Sequence, residues 1–380
     1  MKKIILYVLG AILIVAGLIG VYQRLTQGHL LANYGSYVPW GLWVAAYIYF
    51  IGLSAGSFLL SSLVYVFNVK ALERIGKLSL VTAVITLFMA LLAIWFDIGH
   101  MERFWYVFVR PNFYSMMAWM IWLYTAYFLL LIAEVIVVFQ QKSQGRDKLL
   151  KILGSLGVPL AIAFHGGVGA LFAVVGARIY WHSSLFPILF LTGALTSGGA
   201  LLLSIVAWGW PQKNEEHKKL VKLLAQITLG LLLFDLLLEW AEISVPFWGG
   251  LKEHLIGLDL MLFGPFWWVF WILHLFLGSL IPVYLLVRKS DNPKWVGLAG
   301  ALIAVLFLSV RLNLVIPGLA SPILPGIEEA ISHPRLKTFY VPSIHEWLVL
   351  LFVVMLGVTA FRFACKFFNL TGLSREETLR

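Results

Sequence analysis

The sequence predicts an all-α polytopic membrane protein with about ten transmembrane helices. Three observations predict it. Of the 380 residues, 61% are hydrophobic and only 12% charged, with a mean hydropathy of +0.92; a soluble chain of this size could not bury so much apolar surface. Apolar runs of spanning length recur ten times along the chain. The alternation expected of barrel strands is absent, which leaves helices to satisfy the backbone in lipid.

The first run, 4–22, lies in "MKKIILYVLGAILIVAGLIGVY". It lacks a clear small-residue cleavage site and is about long enough to span, so it reads as a retained helix rather than a signal peptide. The next four runs are 41–67, 78–97, 115–139 and 153–175. The last five are 185–209, 220–243, 266–287, 295–316 and 345–364, and span interiors are mostly unbroken apart from Pro159 and Pro282. The single cysteine, Cys365, excludes a disulfide framework and a cysteine-ligated iron–sulfur cluster within this chain.

"GLSAGSFLLS" (Gly52 to Ser61) in span two is similar to "LTSGGALLLS" (Leu195 to Ser204) in span six, with Gly56 aligned on Gly199. The pattern predicts two four-helix bundles in a parallel repeat, with spans one and ten as peripheral additions. The units are then 1–40, 41–180, 181–320 and 321–380. Small residues in the repeated segment would let helices approach closely.

Twenty of the 28 lysines and arginines fall at the termini and in the loops after even-numbered spans. Eight fall on the other side: Arg24, Arg103, Arg110, Arg178, Lys252, Arg311, Arg335 and Lys337. The positive-inside rule therefore predicts a protein of the cytoplasmic membrane with both termini inside. The net charge of +10 is accounted for by topology and needs no nucleic-acid partner. The outer loops are Gly- and Pro-bearing and aromatic, which suits a partner protein or an interfacial aromatic belt.

Ionisable residues at membrane depth are costly and mark function by default. Asp97 ends span three, Glu134 lies in span four, His165 in span five, His274 in span eight and Arg311 in span nine. Asp235, Glu239 and Glu242 in span seven are spaced by four and three, so they share a helical face. That ladder could pass protons, or clamp the bundles by pairing with Arg178, Arg311 or backbone groups. A haem between His165 and His274 is the weaker alternative, because nothing repeats the arrangement. No metal site is expected either: no HxxxH or HxxE pair places two ligands on one helix turn in the membrane.

The stretch "DIGHMERFWYVFVRPNFYSMMAW" (Asp97 to Trp119) gathers an acid, a histidine, two arginines and many aromatic rings at the outer interface. Rings can stack on a quinone while donors hold its oxygens, and oxidising a quinol requires a proton acceptor. His100 and Asp97 are candidates for that acceptor, with Asp97 alternatively a structural partner of Arg103. Tyr47, Arg103, Trp119, Tyr124 and His165 are candidate pocket residues.

"DIGHMERFW…RPNFYSMMAWM" resembles the signature of the quinone-interacting membrane subunits of the polysulfide reductase (NrfD) type. "WGLWVAAYIYFIGLSAGSFLL" (Trp40 to Leu60), "GVPLAIAFH" (Gly157 to His165) and "RLNLVIPGL…YVPSIHEW" (Arg311 to Trp347) support it. Ten spans look more like the longer branch, found in hydrogenase-2-type, dissimilatory sulfite-reductase-linked and alternative complex III assemblies. The resemblance implies a subunit with no cofactor of its own that exchanges electrons between membrane menaquinol and a ferredoxin-like iron–sulfur subunit on the outer face. Further catalytic or cytochrome subunits would complete the complex, and the quinone site would lie in the first bundle. The pattern departs at two positions. Tyr47 falls where polysulfide reductase uses a histidine, and Met120 where alternative complex III has an acid. The rival readings are an ion or solute transporter on the same repeat and a membrane anchor that binds no quinone.

Overall fold

The computed structural model describes residues 2–141, 143–210, 213–250, 252–323, 326, 333, 335–368 and 370. The tail beyond residue 370 and most of 324–334, both in the last predicted unit, lie outside these residues. Among the described residues, ten helices are long and apolar enough to cross a membrane. The structure is therefore that of an all-α polytopic membrane protein.

In the first half, α1 covers Lys2–Gln27, α2 Leu42–Tyr65, α3 Gly76–Asp97, the short α4 Tyr106–Val109, α5 Met116–Val138 and α6 Gln144–Ala173. In the second, α7 covers Phe186–Gly209, α8 Glu215–Gly249 and α9 Lys252–Leu262. A π-helical stretch, Val269–Leu280, then runs into α10, Ile281–Arg288, and is followed by α11, Pro293–Ala320, and α12, Ile344–Phe368. Spans five and seven begin earlier than their apolar runs because capped polar turns extend them. The Ser143 hydroxyl accepts the Arg146 amide at 3.2 Å and Asn214 Oδ1 accepts the His217 amide at 2.9 Å. Asp147 and Glu215 with Glu216 place negative charge in those first turns, where the helix dipole favours it.

Helices α2, α3, α5 and α6 pack in a ring, α2 and α5 each touching α3 and α6. A second group forms around α7 and α11, with α8 against α7 and the π stretch against α11. The two groups meet along α2 and α7. A Cβ built on Gly56 would lie 2.0 Å from the Ala194 carbonyl oxygen, and one on Gly198 would lie 2.7 Å from the Gly56 Cα. Backbones this close require glycine. The glycine that meets Gly56 is thus Gly198. Gly199, its partner in the sequence alignment, faces Thr228 on α8 instead.

Helices α1 and α12 lie outside both groups. Gly17 and Gly20 of α1 press on the backbone at Phe352 and on Leu348 and Val349 of α12. Helix α12 reaches α3 through Gly357, whose Cα packs on Met89, and through Phe352 against Phe96.

Candidate functional site

Helices α2 and α5 run in the opposite sense to α3 and α6, so Leu42 on α2, Asp97 on α3, Met116 on α5 and Ala173 on α6 lie on one side, the side the sequence predicts to face outward. Four clusters of the predicted residues can be placed against those ends.

The first surrounds Asp97. Its Oδ1 accepts the Tyr34 hydroxyl at 2.8 Å, while Arg24 donates to the Phe96 and Ile98 carbonyls at 2.7 and 2.8 Å. Tyr340 donates to Glu346, whose Oε2 accepts the Asn33 and Ser343 amides at 3.0 and 2.9 Å. This network joins the outer ends of α1, α2, α3 and α12. Burial, reinforced by Asp97, holds the Tyr34 phenol well above its ordinary value, so it remains a donor. Burial likewise lowers the His29 imidazole, with Arg24 as the second cause. The expected pairing of Asp97 with Arg103 is not what the structure has. Asp97 is taken by Tyr34, and the near ion of Arg103 is Glu102, with Nε 3.6 Å from Oε1.

The second cluster is the exposed outer segment. His100 Nδ1 lies 3.1 Å from Glu102 Oε1, with 70% of the His100 side chain exposed. Arg103 is exposed too, and Trp119, half exposed, donates to the Phe113 carbonyl at 2.8 Å. Neighbouring rings stack edge to face, Trp105 on Tyr106 and Phe108 on Trp122. These residues form an aromatic rim and do not share an interior with Tyr47 and Tyr124.

The third cluster lies inside the first group of helices. Tyr47 and Tyr124 face one another edge to face at 6.0 Å, Tyr124 touches Phe164 at 5.5 Å, and His165 follows with no exposed surface. The Tyr124 hydroxyl and both His165 ring nitrogens are buried without a well-formed hydrogen bond to the protein, with the Tyr47 phenol and the Phe190 backbone as the polar groups beside them. At 1.5 Å per residue the three side chains sit about 8–12 Å below the outer helix ends, so they share a layer. The Gly52 Cα stands beside His165, and Met120 fills the space over Gly167.

The fourth cluster is a cleft among α7, α8, α11 and the π stretch. About 820 Å³ of space there, open solvent at its mouth included, is not filled by protein. The predicted acids line it, each with its own partner. Asp235 accepts the Thr192 hydroxyl at 2.6 Å, Glu239 Oε2 lies 2.8 Å from His274 Nε2, and Glu242 accepts the Ser183 hydroxyl at 2.6 Å. Phe186, Phe190, Phe270 and Phe307 form apolar walls. Arg311 lies over Phe190 at 4.5 Å and Phe307 at 5.2 Å, with Nε and Nη2 making no hydrogen bond to the protein. Tyr180 closes the outer end, its phenol pushed up by burial and then by Glu242 and Glu239.

His165 and His274 are not paired: His274 turns to Glu239, while His165 lies against Phe164 and Phe190. The sequence offers Arg311 to the span-seven acids as one possible partner but does not join His274 to them. The only available signal was their similar depth, because the azimuth of each helix is set by packing.

Known proteins resemble the chain along most of its length. The family described as "Polysulphide reductase, NrfD" matches residues 31–322. A subunit of the selenate reductase of Mesobacillus selenatarsenatis is 38% identical, over 91% of this chain and 89% of its own. The Hdr-like menaquinol oxidoreductase integral membrane subunit of Archaeoglobus fulgidus is 32% identical, over 88% and 85%. The menaquinone reductase integral membrane subunit of Nitratidesulfovibrio vulgaris is 24% identical, over 81% and 80%.

Proposed function

The chain belongs to the polysulphide reductase NrfD family, a membrane subunit of a multi-subunit redox complex, and from that premise we propose that it exchanges electrons between membrane menaquinol and an iron–sulfur subunit docked on the outer face. Two relatives carry menaquinol or menaquinone in their names, which supports the choice of quinone. The observation that carries the reading is the layer of buried polar atoms at Tyr124 and His165 that lack well-formed hydrogen bonds to the protein. Such groups are rare in folded proteins and call for a partner other than protein. A quinone supplies two oxygens on a flat ring. Tyr47, Tyr124 and Phe164 offer edges and faces to the ring, and the phenols and imidazole can donate to or accept from its oxygens.

Oxidising a quinol releases two electrons and two protons. In this reading the electrons leave to the partner's cluster, since this chain has no cysteine set that could hold one. His165 is the proton acceptor nearest the phenol pair. His100 and Arg103, exposed on the rim, meet the partner rather than the ring, and Asp97 fastens helices. The acids of the second group are then free for another role.

The test uses the complex purified from its native membrane. A reduced menaquinol analogue should reduce co-purifying iron–sulfur clusters, seen by EPR, and a quinone-site inhibitor should block that reduction. An assembly without clusters, or cluster reduction indifferent to the inhibitor, would sink the reading and favour a transporter or a passive anchor.

A further inference from the structure

We propose that the cleft of the second helix group is itself a binding site for a quinone or quinol ring, separate from the Tyr47–Tyr124–His165 layer. The inference rests on the reading that the complex works on quinol. It stands on a different part of the molecule.

The shape of the cleft suits a flat ring. Phe186, Phe190, Phe270 and Phe307 present aromatic surface from α7, α11 and the π stretch, and a hydrophilic solute would leave those faces wetted at the cost of their hydrophobic burial. Its polar groups are few and come from different helices, which is how a pocket fixes orientation. Arg311 is only 3% exposed, yet two of its nitrogens make no hydrogen bond to the protein. Asn313, 4% exposed on the same helix, has neither its amide nitrogen nor its oxygen bonded. Gly193 makes room for the guanidinium: a Cβ there would lie 2.9 Å from Arg311 Nη2. A buried guanidinium held by rings and nearby acids, with two donors still unused, leaves room for an acceptor.

Donors and acceptors are both present, and a ring that changes oxidation state uses both. The carbonyls of a quinone accept from Arg311, Asn313 or His274. The hydroxyls of a quinol donate to Glu239 or Asp235. Anions are a poor alternative, because Asp235, Glu239 and Glu242 line the same space and would repel them. The π-helical winding of Val269–Leu280 fits a site as well: such turns occur mainly where function displaces a side chain. Here it carries His274 to Glu239.

The intact complex would be irradiated with a radioactive azido-naphthoquinone, and the labelled peptides mapped. The proposal expects label on peptides of α8, α11 or the π stretch, whether or not α2, α5 and α6 are also labelled. Glu239→Gln and the cleft-filling Val310→Trp should each reduce second-group label at least tenfold while leaving first-group label unchanged. Label confined to α2, α5 and α6 would overturn this inference and leave the proposed function standing. Absence of label everywhere would overturn both, and second-group label indifferent to both variants would overturn the inference alone.

Discussion

The two helix groups share a scaffold and differ in how tightly they close on it. In the first, Tyr124, Tyr127, Phe164 and His165 are almost wholly buried, and their rings touch in sequence. In the second, acids line one wall of an open cleft. One element of its frame also differs. Span four is a regular helix, α5, whereas span eight begins as twelve residues of π-helix, from which His274 faces the cleft. Similar helix crossings can thus frame different chemistry.

Four substitutions would break or sharpen that contrast. The largest effect is expected at the crossing both groups share. Gly56→Leu would drive a side chain into the Ala194 carbonyl, and overpacking here should cost about 3 kcal/mol or more. Loss of recoverable, monodisperse complex on size-exclusion chromatography would bear this out, and normal yield would show that the groups can separate. Next, Tyr124→Phe removes a hydroxyl with no well-formed hydrogen bond to the protein while keeping the ring. Its thermal midpoint should stay unchanged while quinol-dependent cluster reduction falls at least tenfold, about 1.4 kcal/mol in the barrier. Equal activity would deny the first group its role.

Glu239→Gln replaces a charge-assisted bond to His274 by a neutral one. The expected loss is about 1 kcal/mol, read as a fall of a few degrees in the midpoint of the purified complex. The smallest effect belongs to the rim. Arg103→Ala removes an exposed side chain, so stability should stay within about 0.5 kcal/mol. Its signature would be a weaker dependence of cluster reduction on ionic strength, since rim charges act on encounter rather than on the bound state. A collapse of quinone binding in this variant would move the ring to the surface segment.

These expectations differ in how far the sequence could have carried them. Hydropathy located all ten spans, because twenty apolar residues in a row have few other fates. Helix neighbours along the chain were equally legible, as was the role of the small residues near Gly56. Side-chain partners across helices were not. The sequence offers Arg103, six residues on, as one possible partner of Asp97, but the hydrogen bond comes from Tyr34 at a separation of 63. The span-seven acids were seen as a ladder because i, i+4 and i+7 is a local rule. Their partners on α7 and the π stretch depend on packing that no single helix encodes. The π winding itself has no sequence signature in a uniformly apolar segment, so the cleft beside it is not legible there.

The clasp between the first and last helices bears on how the protein is made. Gly17 and Gly20 of α1 fit only against α12, and Gln23 meets His345 across 322 residues of chain. During synthesis, then, α1 enters the bilayer early and waits with its glycine face open to lipid until the tenth span leaves the ribosome. Arg24 waits likewise for the carbonyls at the end of α3. Closure at the outer rim is therefore a late event of biogenesis, and a nascent chain halted before residue 344 would carry both helix groups yet lack its latch.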